Sequence, residues 1–182
     1  MAGVATTTIL EGIAEAAAAA SDVWARAVLP AEQRVCEPLF GTISGVTFAE
    51  GVEMIYEAYL VHHAARGRVF AVADYEQGLL LGDYLYATGL VQVCQANDVA
   101  AIAALADLIA LAAHLRVEGG EIADGELWLA TARYLAGPRS AAVGQACEAL
   151  RGGDSAPLRA LVTDPAAAFP IAEHRRLMGE TA

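Results

Sequence analysis

The chain has 182 residues, 57% of them hydrophobic, and a mean hydropathy of +0.44. Its net charge is −11 and all 11 Lys/Arg cations are arginine, which argues against nucleic acid and anionic membrane surfaces as partners and removes Schiff-base and lysine–phosphate chemistry. Much of the apolar content is alanine, a helix former, so a single helical domain over residues 1–182 is expected; the apolar excess calls for a subunit interface.

Helix-start signals recur along the chain. Thr8-x-x-Glu11, Thr47-x-x-Glu50 and Asp74-x-x-Gln77 each have the form of a capping box or its aspartate variant. A first helix is expected over 8–29, stopping at Pro30, with Ile9, Ile13, Ala16, Ala20, Val23 and Ala27 on its inward stripe. A short helix near 31–39 follows, then the loop "GTISGVT". The third helix spans 48–65, with Phe48, Val52, Ile55, Tyr59 and His62 on its stripe, and the fourth covers 74–95. The fifth begins near Asn97 and is apolar on nearly every face until Arg116, which marks it as central; Gly119 and Gly120 end it. Helices near 124–136 and 138–151 are separated by Gly137-Pro138. A short helix near 155–162 and a last one opened by Asp164-Pro165 complete an all-α, antiparallel helical bundle.

The start "MAGVATTTILEGIAEAAAAASDV" lacks the positive residues of a signal peptide, and Glu11 and Glu15 interrupt its apolar stretch. The run "VAAIAALADLIALAA" is too short for a span of about 20 residues and holds Asp107. No membrane span is expected, and the location is expected to be cytoplasmic. Cys36, Cys94 and Cys147 lie far apart without a C-x-x-C pattern, as reduced thiols of a cytosolic helical core do.

One stretch of the fourth helix, "GLLLGDYLYATGL", places Asp83 directly after Gly82. On the stripe Leu79, Asp83, Tyr86, Leu90, Val93 the carboxylate is expected to face inward, where without a partner it costs roughly several kcal/mol. It therefore needs a donor or a polar cavity, and an Arg or Tyr of a neighbouring helix is one such donor. Gly82 lets a helix or a ligand approach the backbone closely.

Other polar groups read as structural. His62 and His63 point about 100° apart on a helix and are ill placed to chelate one ion. Glu53 with Glu57, and Glu11 with Glu15, are i, i+4 pairs of solvated faces; the E-x-x-H of ferritin-like di-metal sites is absent. Arg66 and Arg68 flank Gly67 as a surface loop pair. Arg175 and Arg176 sit where they complement a helix C-terminus, and Trp24 and Trp128 are packing or interface anchors. No Gly-rich phosphate loop, G-x-S-x-G elbow, HEXXH or zinc spacing occurs.

"LLLGDYLYATGL" resembles the G-D-x-L-x-A segment of the trans-isoprenyl (polyprenyl) diphosphate synthases. Upstream, "MIYEAYLVHHAARGRVF" is similar to that family's helix E-x-x-H-x-x-x-L-x-H-D-D-x-x-D followed by R-R-G. Downstream, "AIAALADLIALAAHLRVEGGEI" is similar to its next helix, and the three pieces keep family order over roughly residues 50 to 150. Active members hold magnesium on two aspartate-rich motifs; here Leu60-Val61-His62-His63-Ala64 stands at the first, and the chain is almost finished where the second belongs. The G-K-R-x-R-P segment is absent too, with "EQRVCEP" a faint echo.

The resemblance is closest to the small non-catalytic subunits, such as component I, of heteromeric hexaprenyl and heptaprenyl diphosphate synthases. It implies a truncated isoprenoid-synthase-like bundle with no catalytic residue and no cofactor of its own, magnesium being held by a catalytic large subunit. The small subunit would complete the interface and shape the product tunnel in quinone side-chain biosynthesis. Arg66 would be a residual diphosphate contact; Asp83, Tyr86, Leu90 and His62 would be substrate-side positions, with Tyr84 beside them. Two alternatives stand beside this: a stand-alone homodimer binding an apolar or isoprenoid ligand, and an unrelated enzyme on a helical bundle, for which no motif is present.

Overall fold

Thr8 and Glu11 form a reciprocal capping box: Thr8 Oγ1 accepts from the Glu11 N–H at 3.3 Å and Glu11 Oε2 accepts from the Thr8 N–H at 2.9 Å. They open α1 (Ile9–Ala20), the first of ten α-helices in a computed structural model that describes residues 8–64, 66–118 and 123–180. The fold is all-α, with no strand among the described residues.

The expected helix over 8–29 is broken. Ser21 takes an extended backbone and its Oγ accepts from the Val23 N–H at 3.1 Å, so it closes α1 and caps α2 (Asp22–Ala27). A serine hydroxyl competes for backbone donors in this way, which is why it favours caps over helix interiors. The buried face of α1 is Leu10, Ile13, Ala14 and Ala17; Ala16 and Ala20 of the expected stripe are exposed.

The helix expected near 31–39 is only a 3-10 turn, Ala31–Gln33. Beyond it the chain extends, because the backbone bonds elsewhere: Leu29 N donates to Val69 O at 2.9 Å and Val35 N to Arg68 O at 3.0 Å. Pro38 also disfavours helix at the residue before it. Part of the expected loop "GTISGVT" forms α3 (Gly41–Ser44).

α4 (Ala49–His63) starts after Phe48 without a side-chain cap, so Thr47 and Glu50 form no box; Glu50 Oε1 accepts instead from Gln92 Nε2 at 2.9 Å. Every residue of α4 from Gly51 to Val61 is buried. α5 (Tyr75–Cys94) begins as expected, with Asp74 Oδ1 accepting from the Gln77 N–H at 2.8 Å. The two helices run antiparallel at close range, Gly51 meeting Gly89 at one end and His62 meeting Gly82 at the other.

That crossing corrects the inward reading of Asp83. The side of α5 against α4 carries Gly78, Leu81, Gly82, Leu85, Gly89 and Val93. A Cβ on Gly82 would stand 2.0 Å from the His62 ring. The glycine face gives the closer approach, so it wins the interface, and the Asp83 side chain is left 74% exposed in water.

α6 (Val99–Glu118) leads to α7 (Asp124–Ala136), α8 (Ala141–Arg151), α9 (Ala156–Ala160), a 3-10 turn Pro165–Ala167 capped by Asp164, and α10 (Ala168–Leu177). Gly119 and Gly120 lie outside the described residues. α6 is not the central helix; α4 and α7 are. Only 28% of the stretch Val99–Val117 is buried, and Val99 and Val117 are 78% and 86% exposed. By length and composition alone that stretch reaches what a membrane span requires, beyond the shorter apolar run read from the sequence. Alanine is the physical reason: it is apolar on every face of a helix, yet has little side chain to bury.

Gly89→Ala should destabilise the fold by about 1–3 kcal/mol, since its Cβ would fall 2.9 Å from Gly51 O and 2.8 Å from Ile55 Cγ1. Gly12→Ala in α1, with nothing within 4 Å of its Cβ, should stabilise by about 0.5–1 kcal/mol. Urea unfolding midpoints at constant slope separate the two.

Candidate functional site

Two carboxylates and one guanidinium sit inside the molecule. Glu53 and Glu57 are fully buried on α4, and Arg68 is buried beside them, so the solvated and surface readings of these residues are overturned. Arg68 Nη1 lies 2.6 Å from Glu53 Oε2, and Arg68 Nε donates to Glu57 Oε2 at 3.1 Å. The remaining carboxylate oxygens accept from backbone: Glu53 Oε1 from Leu39 N (2.7 Å) and Gly41 N (2.5 Å), Glu57 Oε1 from Val69 N (2.9 Å). Glycine makes room for both acids. A Cβ on Gly67 would stand 2.2 Å from Glu57 Oε1, and one on Gly41 2.6 Å from Glu53 Cγ.

A second buried group lies on the other side of Tyr56, whose ring carries the Arg68 guanidinium 4.8 Å above it. Tyr56 Oη meets His174 Nδ1 at 3.0 Å, and His174 Nε2 lies 3.1 Å from Asp124 Oδ2. Tyr59 Oη donates to the same Asp124 oxygen, and the Arg116 guanidinium donates to it as well. Arg116 Nε also donates to Tyr59 Oη at 2.8 Å, and Arg116 Nη1 reaches Glu180 Oε1 at 2.8 Å. Burial alone would raise the Asp124 carboxyl, yet His174, Tyr59 and Arg116 together hold it well below the usual carboxylate range. Burial and the Asp124 charge push the Tyr59 phenol far up.

His174 and Asp124 are both buried: Nδ1 is in hydrogen-bond contact with the Tyr56 hydroxyl, and Nε2 faces the Asp124 carboxylate as an ion-pair contact without an aligned hydrogen bond. The group acts as a clamp that ties α10 to α4, α6 and α7. Phe40, Tyr56, Tyr59 and Trp128 fill the space around it, with Phe40 and Trp128 stacked at 5.5 Å.

The five positions that the resemblance singled out are only partly together. His62 is half-buried at the end of α4, its Nε2 3.0 Å from Leu79 O and 3.7 Å from Asp83 Oδ1, with Tyr86 edge-on at 5.2 Å. Leu90 is half-buried farther along α5 against the core. Arg66 is exposed and donates to Gln33 O at 3.4 Å. Tyr84 stacks on Trp24 at 6.0 Å. Where the family holds hard oxygen donors, this chain has His63, packed on Tyr59 at 4.8 Å, and the methyl of Ala64; that donor set does not fit magnesium. Among the described residues no group of three or more His, Cys, Asp or Glu could hold a metal ion.

No known protein family, curated protein or solved structure matches the chain. The likeness to the prenyl synthases therefore rests on the ordered segments of α4, α5 and α6 alone.

The buried ion cluster had a signal in the sequence. Glu53 and Glu57 stand in "GVEMIYEAYLV", a helix with no polar face to share, so both acids had to be buried with a cation; "RGRVF" supplies it next to a glycine. The Asp124–His174 pairing had none, since 50 residues separate the two.

Arg68→Met should cost about 3–5 kcal/mol by urea unfolding, because two buried carboxylates lose their cation. Adding Glu53→Leu and Glu57→Leu should not restore the loss, since the N–H groups of Leu39, Gly41 and Val69 then lack acceptors. His63 gives a pH test. Burial, then the His62 and Arg116 charges, lower it to about 4 from an ordinary 6.5. As pH falls from 6.5 towards 4 the unfolded chain binds a proton that the folded chain refuses, so stability falls through that window. Stability measured at pH 7.5 and pH 5 should differ less in His63→Gln than in the parent chain.

Proposed function

We propose that this chain is a non-catalytic helical subunit that works by associating with a catalytic partner, in the manner of the small subunits of heteromeric polyprenyl diphosphate synthases. The observation that carries the reading is the outer face of α6. Val99, Ala103, Ala106, Ala110 and Val117 are exposed along it with spacings of four, three, four and seven, and Ile102 and Ile109 flank them half-buried. α5 presents a similar exposed or half-exposed row, Leu80, Tyr84, Ala87 and Val91. Apolar residues at alternating steps of three and four are the seam by which one helix packs into another, and an apolar surface of this length is costly in water.

The interior supports the non-catalytic half. Aromatic side chains and His174 occupy the space between α4 and α7, and the end of α4 lacks oxygen donors for a diphosphate-bound metal. In this reading Tyr84, Tyr86 and Leu90 on α5 contribute wall to a product tunnel whose chemistry belongs to the partner. The same face would serve a self-dimer, which is the second reading.

Co-expression with a prenyl synthase large subunit bearing both aspartate-rich motifs should yield a co-purifying complex with prenyltransferase activity. Ala106→Glu with Ala110→Glu should abolish co-purification while leaving helicity and the urea midpoint unchanged. Light scattering that finds a stable dimer of the chain alone, broken by the same substitutions, favours the second reading. Magnesium-dependent product from the purified chain alone sinks both.

A further inference from the structure

Gly82 and Gly89 turn one side of α5 onto α4. Leu80 and Ala87, two residues before them, lie about 200° round the helix and mark the opposite side. There Glu76, Leu80, Asp83, Ala87, Val91 and Cys94 follow one another at steps of four, three, four, four and three, and all six are exposed. Leu80 and Val91 are each 62% exposed. A helix face that serves only water carries charges of both signs; this one sets carboxylates among bare apolar side chains.

Those carboxylates lack a cation. α5 contains no arginine, lysine or histidine, and among the described residues no arginine pairs with Glu76 or Asp83. Asp83 has one basic contact, His62 Nε2 at 3.7 Å, and that nitrogen already stands 3.0 Å from Leu79 O. The charges decide what can cover the row. A second copy packed α5 on α5 supplies no cation in either orientation, so Asp83 would be buried without a partner, which is costly. Two chains of net charge −11 also repel each other.

We propose that this row docks an amphipathic helix of the partner that is basic where α5 is acidic. That helix is apolar at steps of three and four and carries Lys or Arg at two positions seven residues apart. The spacing comes from α5 itself: Glu76 and Asp83 are separated by two turns, about 10 Å along the axis, in a row about 27 Å long. The inference rests on the subunit reading and adds to it the chemistry of the partner's contact. Charge matching of this kind fixes orientation and speeds encounter.

The probe is a fluorescein-labelled helical peptide as long as 76–94, with leucine at steps of three and four, lysine at two positions seven apart and glutamine elsewhere. Forms with Gln or Glu at the two lysine positions are its controls. The Lys form should bind the full chain saturably, the Gln form about 5-fold more weakly, as two exposed ion pairs imply, and the Glu form not measurably. At about 1 M salt, where the screening length is about 3 Å, the Lys and Gln forms should bind alike. Glu76→Gln with Asp83→Asn should remove the preference for Lys while keeping the helical circular-dichroism spectrum. Glu15→Gln with Glu32→Gln, the same charge change at other exposed positions, should leave that preference intact. Iodoacetamide labelling read by peptide mass locates the peptide: it should slow modification of the exposed Cys94 and not of Cys36. Absence of saturable binding overturns the proposal, as does equal binding of the three forms. So does a Lys preference that survives loss of Glu76 and Asp83 or disappears with Glu15 and Glu32, or a Cys94 that stays unprotected. Lys-peptide binding without co-purification of a large subunit refutes only the subunit reading. A complex with the large subunit that is indifferent to Glu76→Gln with Asp83→Asn refutes only the charge-matched helix.

Discussion

Two acids on the middle helix share one arginine from a loop, and the surrounding backbone is arranged to make that arrangement tolerable. Glu53 and Glu57 sit one turn apart on a helix with no solvent face, so each needs its full set of donors inside the protein. Arg68 supplies the opposite charge, and Leu39, Gly41 and Val69 supply N–H groups from two separate segments. The cluster therefore pins 39–41 and 68–69 to α4. Since 27–35 is in turn bonded to 68–71, the extended connections around α4 inherit their course from a buried charge.

The same logic extends through Tyr56 to the far end of the chain. Tyr56 lies under Arg68 on one side and meets His174 on the other, and His174 leads to Asp124, Tyr59 and Arg116. α10 buries only Pro170 and His174. Ile171, Leu177 and Met178 add half-buried apolar contact with the core, and polar ties complete the docking: His174 in the interior, Arg175 with Glu126, and Arg116 with Glu180 just beyond the helix.

Interior and exterior thus divide the work. The space between α4 and α7 is occupied by rings and by paired charges, while α6 keeps an exposed alanine–valine face. Alanine serves both. It lets helices approach closely where they pack, and leaves smooth apolar surface where they do not.

The sequence alone determined the helical class, the caps at Thr8, Asp74 and Asp164, the bounds of α4, α5 and α7 to within a few residues, and the absence of oxygen donors at His63 and Ala64. These are local properties: capping bonds span three residues, and side-chain chemistry is carried by the residue itself. Which face of each helix turns inward was decided only in three dimensions. Asp83 and the glycines of α5 compete for the same interface, and the closer packing against Gly51 and His62 selects the glycines. Glu53 with Arg68, and Asp124 with His174, are joined across 15 and 50 positions, so their pairing depends on where the chain returns, which no local pattern encodes.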